Sequence, residues 1–170
     1  MSQKGWIFDA SRCVGCRACV VACKMENNTP TDVNYRWVFE RESGFYPNPE
    51  LAFSSLACFH CEAPACIPSC PVGAITKNAE GLVLINDALC IGCKYCMAAC
   101  PYGAPQFNAI TRKVEKCTYC VQRTSQGLVP ACVQTCVGGA LQISEDDTWG
   151  GAAPDGFANP IRTRPAVKFI

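Results

Sequence analysis

Short apolar segments separated by turns dominate the pattern of this 170-residue chain. Residues 74–76 and 82–85 are apolar enough for two strands, and the Lys-Asn-Ala-Glu-Gly segment at 77–81 between them is a turn signal, which predicts a β-hairpin. The segment Val-Gly-Gly-Ala-Leu at 137–141 predicts a similar turn and strand. No apolar run approaches eighteen residues, so the sequence predicts no membrane-spanning helix.

Sixteen cysteines interrupt these segments, and they fall into four groups of four with none left over. Each group ends in C-x3-C, and Pro71 and Pro101 follow the second and third groups, as in the bacterial iron–sulfur run C-x2-C-x2-C-x3-C-P or a close variant of it. Four groups predict four [4Fe–4S] clusters. The groups are Cys13, Cys16, Cys19 and Cys23; Cys58, Cys61, Cys66 and Cys70; Cys90, Cys93, Cys96 and Cys100; and Cys117, Cys120, Cys132 and Cys136.

Two other uses of so many cysteines are disfavoured. Every group opens with C-x2-C, and such near neighbours rarely form structural disulfides. Zinc sites use two C-x2-C pairs separated by a longer stretch, whereas a third cysteine follows after only two residues in the first and third groups. The fourth group alone, C-x2-C-x11-C-x3-C, also suits zinc.

The last cysteine of each run is expected to serve a different cluster from the first three. In two-cluster ferredoxins that cysteine ligates the other cluster, so that two runs interlock. The second and third groups are the most alike, because both end in Cys-Pro and a glycine follows. We therefore predict one cluster on Cys58, Cys61, Cys66 and Cys100, and another on Cys90, Cys93, Cys96 and Cys70.

By elimination, the first and last groups interlock, although Lys24 and Val137 replace the proline there. The predicted ligand sets are Cys13, Cys16, Cys19 and Cys136 for one cluster, and Cys117, Cys120, Cys132 and Cys23 for the other. The predicted fold is α+β, with two nested ferredoxin-like units of short helices and hairpins and little regular structure outside them. Residues 1–27 with 108–143 form the first unit, 55–107 the inserted second unit, 28–54 an aromatic insertion and 144–170 an extended C-terminal tail.

Residues 5–143 resemble the four-cluster electron-transfer subunits of the dimethyl sulfoxide reductase, or molybdopterin oxidoreductase, family. The resemblance rests on Cys13-Val14-Gly15-Cys16-Arg17-Ala18-Cys19, on Cys58-Phe59-His60-Cys61-Glu62, on Cys90-Ile91-Gly92-Cys93-Lys94-Tyr95-Cys96 and on Lys116-Cys117-Thr118-Tyr119-Cys120. It implies four [4Fe–4S] clusters that conduct electrons between a molybdenum or tungsten pterin catalytic subunit and a membrane subunit that handles quinone. The alternatives are a hydrogenase or formate–hydrogen-lyase subunit, a free polyferredoxin, and a structural zinc module.

Charged residues near the ligands are expected to tune the clusters. The formal charge of +1 counts cysteine as neutral, and four oxidised clusters of charge minus two each would change it to about −7. A nearby positive charge favours the reduced state. Lys94, Lys116 and Arg17 are therefore predicted to tune the potentials, and His60, the only histidine, is expected to hydrogen-bond near a ligand.

The sequence contains no nucleotide-binding or nucleophile motif, which predicts a non-catalytic subunit. The insertion is rich in aromatic residues, and the tail shows little periodicity, so we expect both to contact a partner; the insertion's aromatic residues would otherwise cap the core. Residues 1–10 lack the features of a secretory signal. We expect membrane association through a partner, on the cytoplasmic face or after export with the partner's twin-arginine signal.

Overall fold

The computed structural model describes residues 3–145, 150–151 and 153–170 of the chain. These residues form four α-helices: α1 (Ala18–Asn27), α2 (Tyr95–Ala99), α3 (Val121–Thr124) and α4 (Ala131–Gln134). The nine strands are β1 (Gly5–Phe8), β2 (Arg36–Phe45), β3 (Asn48–Ala57), β4 (Ile75–Lys77), β5 (Val83–Ile85), β6 (Gln106–Asn108), β7 (Lys113–Glu115), β8 (Leu141–Ser144) and β9 (Val167–Phe169). Mixed short helices and strands agree with the predicted α+β class.

Three antiparallel hairpins and one three-stranded sheet organise these elements. Strands β4 and β5 form the hairpin expected at 74–85, with Ile75 opposite Ile85, so that prediction is confirmed. Strands β6 and β7 form a second short hairpin. In the remaining sheet, β1 lies between an antiparallel β8 and a parallel β9. Elements from both ends of the chain therefore meet in one sheet.

The aromatic insertion is the most regular part of the fold, so the expectation of little regular structure outside the two units is wrong there. Strands β2 and β3 are ten residues each and pair along their whole length. At 3.4 Å per residue, each strand is about 34 Å long. The base of the hairpin is buried at Arg36 and Ala57, while Phe45 and Tyr46 at the tip are 91% and 95% exposed. The insertion therefore both packs on the core and projects from it.

The end of the tail differs from expectation as well. Val167 and Phe169 are buried, and β9 pairs with β1, so this segment packs on its own chain. The Phe169 ring makes edge contacts with Phe8 and Phe157, with ring centroids 6.4 and 5.2 Å apart. The sequence gives little sign of this strand, because it is only three residues long and its partner lies about 160 residues away. Among the described residues, no helix has the length and apolarity needed to cross a membrane.

We predict that Phe169→Ala destabilises the protein. Removing a buried phenylalanine side chain costs about 3–5 kcal/mol through lost burial and the cavity left behind. The midpoint of thermal unfolding, followed by near-ultraviolet circular dichroism, should fall. Lys168→Ala is the matched control, because Lys168 is exposed on the same strand. Equal midpoints for the two variants would contradict a structural role for β9.

Candidate iron–sulfur sites

The four C-x2-C loops share one backbone feature. No disulfide joins any of the sixteen cysteines, all of which lie among the described residues. In every group the residue directly before the second cysteine has a positive φ, a conformation that is uncommon except for glycine. These residues are Gly15 (66°), His60 (45°), Gly92 (69°) and Tyr119 (61°). A positive φ at the same position in four separate loops indicates that the loops perform the same task.

Local packing explains which residue type occupies this position. A Cβ atom on Gly15 would lie 2.3 Å from the Phe53 ring, so only glycine fits there. His60 and Tyr119 adopt the strained conformation as buried residues fixed by hydrogen bonds. The His60 Nδ1 accepts from the Val83 N–H at 3.0 Å, and the Tyr119 hydroxyl donates to the Gly5 carbonyl at 2.7 Å.

One cavity is lined by cysteines from the second and third groups. Its empty volume is about 380 Å³, and its lining also includes the buried Lys116. The cysteines that line it are Cys58, Cys61, Cys66 and Cys100. Three of them come from one group, and the fourth is the last cysteine of the other.

Two further cavities repeat this arrangement. One has an empty volume of about 310 Å³ and the other about 350 Å³, so all three are similar in size. The cysteines of the smaller one are Cys70, Cys90, Cys93 and Cys96. Those of the larger one are Cys13, Cys16, Cys19 and Cys136. Each set again combines three cysteines of one group with the last cysteine of another.

The remaining four cysteines also come together. Helix α1, which carries Cys23, packs against α4, which carries Cys132. Burial raises the pKa of Cys23 to about 12, and the nearby Cys132 and Cys120 thiolates act in the same direction. Burial and then the Cys23 thiolate raise the pKa of Cys117 well above its ordinary value. The thiols of Cys23, Cys117, Cys120 and Cys132 are therefore electrostatic neighbours.

The chemistry of these sets fits an inorganic cationic core. Burial raises the pKa of both Cys61 and Cys66 to about 12, so their thiolates need a nearby positive charge to form. Metal ligation supplies that charge and deprotonates thiols outright. Among the described residues, no three Cys, His, Asp or Glu side chains converge on the position of a single metal ion. Three of the four sets instead surround a cavity.

Hydrogen bonds reach several of the sulfur atoms. The Ala74 N–H donates to Cys70 Sγ at 3.3 Å, and the Tyr119 N–H donates to Cys117 Sγ at 3.4 Å. The Asn27 amide donates to Cys23 Sγ at 3.6 Å. Hydrogen bonds to ligand sulfurs stabilise negative charge, and they are one of the means by which proteins set cluster potentials.

Four residues outside the ligand sets are expected to act on the clusters, and of these Lys116 and His60 are buried. Lys116 Nζ donates to the Val83 carbonyl and, at 3.2 Å, to the Cys117 carbonyl, while its side chain lines the 380 Å³ cavity. Lys116 thus lies between that cavity and the set that contains Cys117. Burial, and then the charge of Lys116, hold the pKa of His60 well below its ordinary value, so His60 is neutral.

Lys94 and Arg17 lie at the surface, each beside a cavity that the described cysteines line. Lys94 Nζ is 3.8 Å from the centroid of the Phe107 ring, a cation–π contact. Arg17 Nη2 is 3.5 Å from Glu40 Oε2. Both residues have a positive φ, and each directly precedes the helix that carries the third cysteine of its group, α1 after Arg17 and α2 after Lys94.

Sequence reasoning missed Arg36 and Ser55. Arg36 is 2% exposed and begins β2, and Ser55 lies on β3 with its hydroxyl 3.6 Å from Cys19 Sγ. The available signal was an arginine flanked by Tyr35 and Trp37, an unusual position for a charge that simply faces solvent.

Comparison with known proteins agrees with this geometry. Two models of a 4Fe-4S dicluster domain match residues 49–146 and 12–75. The sequence is 40% identical to one component of the anaerobic dimethyl sulfoxide reductase of Haemophilus influenzae, over 86% of this protein and 76% of the relative. It is 42% identical to one component of the tetrathionate reductase of Salmonella typhimurium, over 82% and 56% of the two proteins. It is 34% identical to one component of the selenate reductase of Mesobacillus selenatarsenatis, over 100% and 73%. The resemblance noted in the sequence is thereby confirmed, and the chain belongs to the family of 4Fe-4S iron–sulfur subunits of the dimethyl sulfoxide reductase type.

Proposed function

We propose that this protein carries four [4Fe–4S] clusters and conducts electrons between two partner subunits. One partner is a catalytic subunit with a molybdenum or tungsten pterin cofactor, and the other is a membrane subunit that oxidises or reduces quinone. The clusters supply the one-electron carriers. The chain itself holds them, sets their spacing and surrounds them with charge.

The convergence of cysteines from two groups around each of three similar cavities carries this proposal. Cross-ligation of this kind gives two nested units, the first built from residues 1–27 and 108–143 and the second from 55–107. The proposed ligand sets are Cys13, Cys16, Cys19 and Cys136 (cluster 1); Cys23, Cys117, Cys120 and Cys132 (cluster 2); Cys58, Cys61, Cys66 and Cys100 (cluster 3); and Cys70, Cys90, Cys93 and Cys96 (cluster 4).

The order of the clusters follows from which ligands are neighbours. Cys19 and Cys23 lie one turn apart on α1, which relates cluster 1 to cluster 2. The charge of Cys58 adds to the effect of burial on the pKa of Cys117, which relates cluster 2 to cluster 3. Clusters 3 and 4 both take their ligands from the second and third cysteine groups, so they are neighbours as well. The proposed path therefore runs from cluster 1 to cluster 4, with Lys116 between clusters 2 and 3.

Exposed apolar residues flank both ends of this path. Val14 and Val137 line the cavity of cluster 1 and are 65% and 78% exposed. Ile91 lines the cavity of cluster 4 and is 64% exposed, and Tyr95, close by in the same cysteine run, is 62% exposed. Exposed apolar side chains grouped around a redox centre are typical of a docking surface. Two such ends support two partners.

The relatives support the kind of partner. Each is named as one component of a reductase, which implies a catalytic subunit in each complex. We propose that clusters 1 and 2 face the catalytic subunit and clusters 3 and 4 face the membrane subunit. The protein would then be peripheral to the membrane and attached through that partner.

The exposed hairpin tip belongs to the end that contains cluster 1. Phe53 on β3 packs against Gly15 in the first cysteine loop, and Arg17 in that loop pairs with Glu40 on β2. Phe45 and Tyr46 extend this end outwards. We propose that the tip contacts the catalytic subunit.

Iron analysis tests the cofactor. Protein purified without oxygen should be brown, bleach with dithionite and contain about sixteen iron and sixteen sulfide per chain. A structural zinc module would be colourless and contain zinc instead. A colourless, zinc-loaded protein would therefore exclude the proposal.

Paired alanine substitutions test the ligand sets. Cys58→Ala with Cys100→Ala removes two ligands of one proposed cluster, and should cost about four iron atoms per chain. Cys58→Ala with Cys70→Ala removes one ligand from each of two clusters, and is expected to perturb both. Iron content and the electron paramagnetic resonance spectrum of the reduced protein report the difference. Ligation within each cysteine group predicts the opposite result for the two pairs.

The docking proposal predicts that Phe45→Ser with Tyr46→Ser weakens co-purification with the catalytic subunit. Both side chains are exposed, so iron content should stay unchanged. Ile110→Ser is the control, because Ile110 is 80% exposed in the turn between β6 and β7, beside the third cysteine group. If both variants recover the same amount of the catalytic subunit, the tip is not part of the interface. Mass spectrometry of the recovered large subunit also separates a pterin enzyme from a hydrogenase.

A further inference from the structure

A buried arginine without a carboxylate partner lies at the base of the aromatic hairpin. Arg36 is the first residue of β2 and is 2% exposed. Its Nη1 donates to Ser55 Oγ at 3.1 Å, and its guanidinium carbon is 4.7 Å from the centroid of a Trp6 ring. Its Nε and Nη2 atoms have no hydrogen-bond partner among the described residues.

This arrangement is costly unless an anion is near. A buried charge with unsatisfied N–H groups is strongly destabilising. Within the described part of the chain, the ion pairs do not include Arg36. The planar guanidinium keeps its charge at every physiological pH, so the cost is not relieved by loss of a proton.

The negative groups around Arg36 are cysteine thiolates. Burial lowers the pKa of Arg36, but the Cys132, Cys117 and Cys19 thiolates outweigh that effect and raise it. Cys19 belongs to the proposed cluster 1, and Cys117 and Cys132 belong to cluster 2. Ser55, which holds Nη1, is also 3.6 Å from Cys19 Sγ. The Trp6 ring under the guanidinium lies 4.5 Å, between centroids, from the ring of Tyr119, which stands between Cys117 and Cys120 in the chain. The guanidinium is therefore close to ligands of both sets.

We propose that Arg36 acts on electron transfer through its charge. It is a permanent buried cation, contributed by the hairpin, that stabilises the reduced states of both cluster 1 and cluster 2. This inference rests on the proposed ligand sets. One electron added to a cluster makes it more negative, so Arg36 favours the reduced state over the oxidised one and raises both potentials. The hairpin thereby has a redox role as well as a docking role.

Potentiometric titration of the full-length holo-protein, followed by electron paramagnetic resonance, tests this. In Arg36→Gln, two of the four reduction steps should move to lower potential, while the other two stay in place. At a fixed potential near the wild-type midpoints, the ratio of reduced to oxidised clusters in those two steps should fall about tenfold, because a nearby unit charge is lost. Arg36→Lys, which keeps a charge, should return both potentials most of the way to their wild-type values.

Arg41→Gln is the matched control. It removes the same charge from the same hairpin, but the Arg41 side chain is 58% exposed, so all four steps should stay in place. Equal titration curves for Arg36→Gln and wild type, at full iron content, would overturn the proposal. If Arg36 had only a structural role, the Arg36→Lys and Arg36→Gln variants would have the same reduction potentials.

Loss of clusters in Arg36→Gln would also decide the question. If Arg36→Gln loses iron from two clusters while Arg36→Lys keeps all four, the charge itself is required. If both variants lose the same iron, packing rather than charge is responsible and the proposal is wrong. Failure of the ligand sets is distinguishable, because it would appear in the paired cysteine substitutions, where Cys58→Ala with Cys70→Ala would then cost a single cluster.

Discussion

The meeting of thiols from distant parts of the chain is the constraint on which the rest of the structure depends. Cys13 shares a cavity with Cys136, and Cys58 shares one with Cys100. Such long-range closure is entropically costly, and strong metal–thiolate bonds are the interaction able to offset it in a small domain. The pairing of β1 with β8 and the packing of α1 on α4 bring the first and last cysteine groups together.

Bringing sixteen thiolates together also creates a need for positive charge inside the protein. Four proposed clusters of charge minus two in a protein of this size require positive groups in the interior. Arg36 and Lys116 are both almost fully buried, and neither has a carboxylate partner among the described ion pairs. In a protein without clusters these two residues would be destabilising. Beside anionic clusters, the same burial strengthens their interaction, because the low-polarity surroundings screen it weakly.

Sequence spacing predicted the cysteine groups, the β4–β5 hairpin and the family, because each depends on local residue order. It did not predict β2 and β3. Most of their residues are exposed on both faces, so the alternation of buried and exposed positions that identifies a strand is missing from much of their length. Nor did it predict β9, whose pairing with β1 is a tertiary contact. The flanking Tyr35 and Trp37 mark Arg36 as unusual for a surface charge, but its burial depends on Trp6 and Ser55, which are distant in sequence.

The two proposed units are alike in their ligand runs and differ in what surrounds them. The second and third groups each end in a cysteine followed by proline, and the surface cation Lys94 lines the cavity proposed for cluster 4. The first and last groups lack that proline, and a hairpin from outside the cysteine runs covers them and contributes Arg36. Because thiolate ligands of the same kind give similar cubanes, a difference in potential between the two ends would come from their surroundings: nearby charges, hydrogen bonds to the sulfurs and solvent exposure. Under the proposed assignment, the insertion that separates the first two cysteine groups contributes the buried charge that distinguishes one end of the electron path from the other.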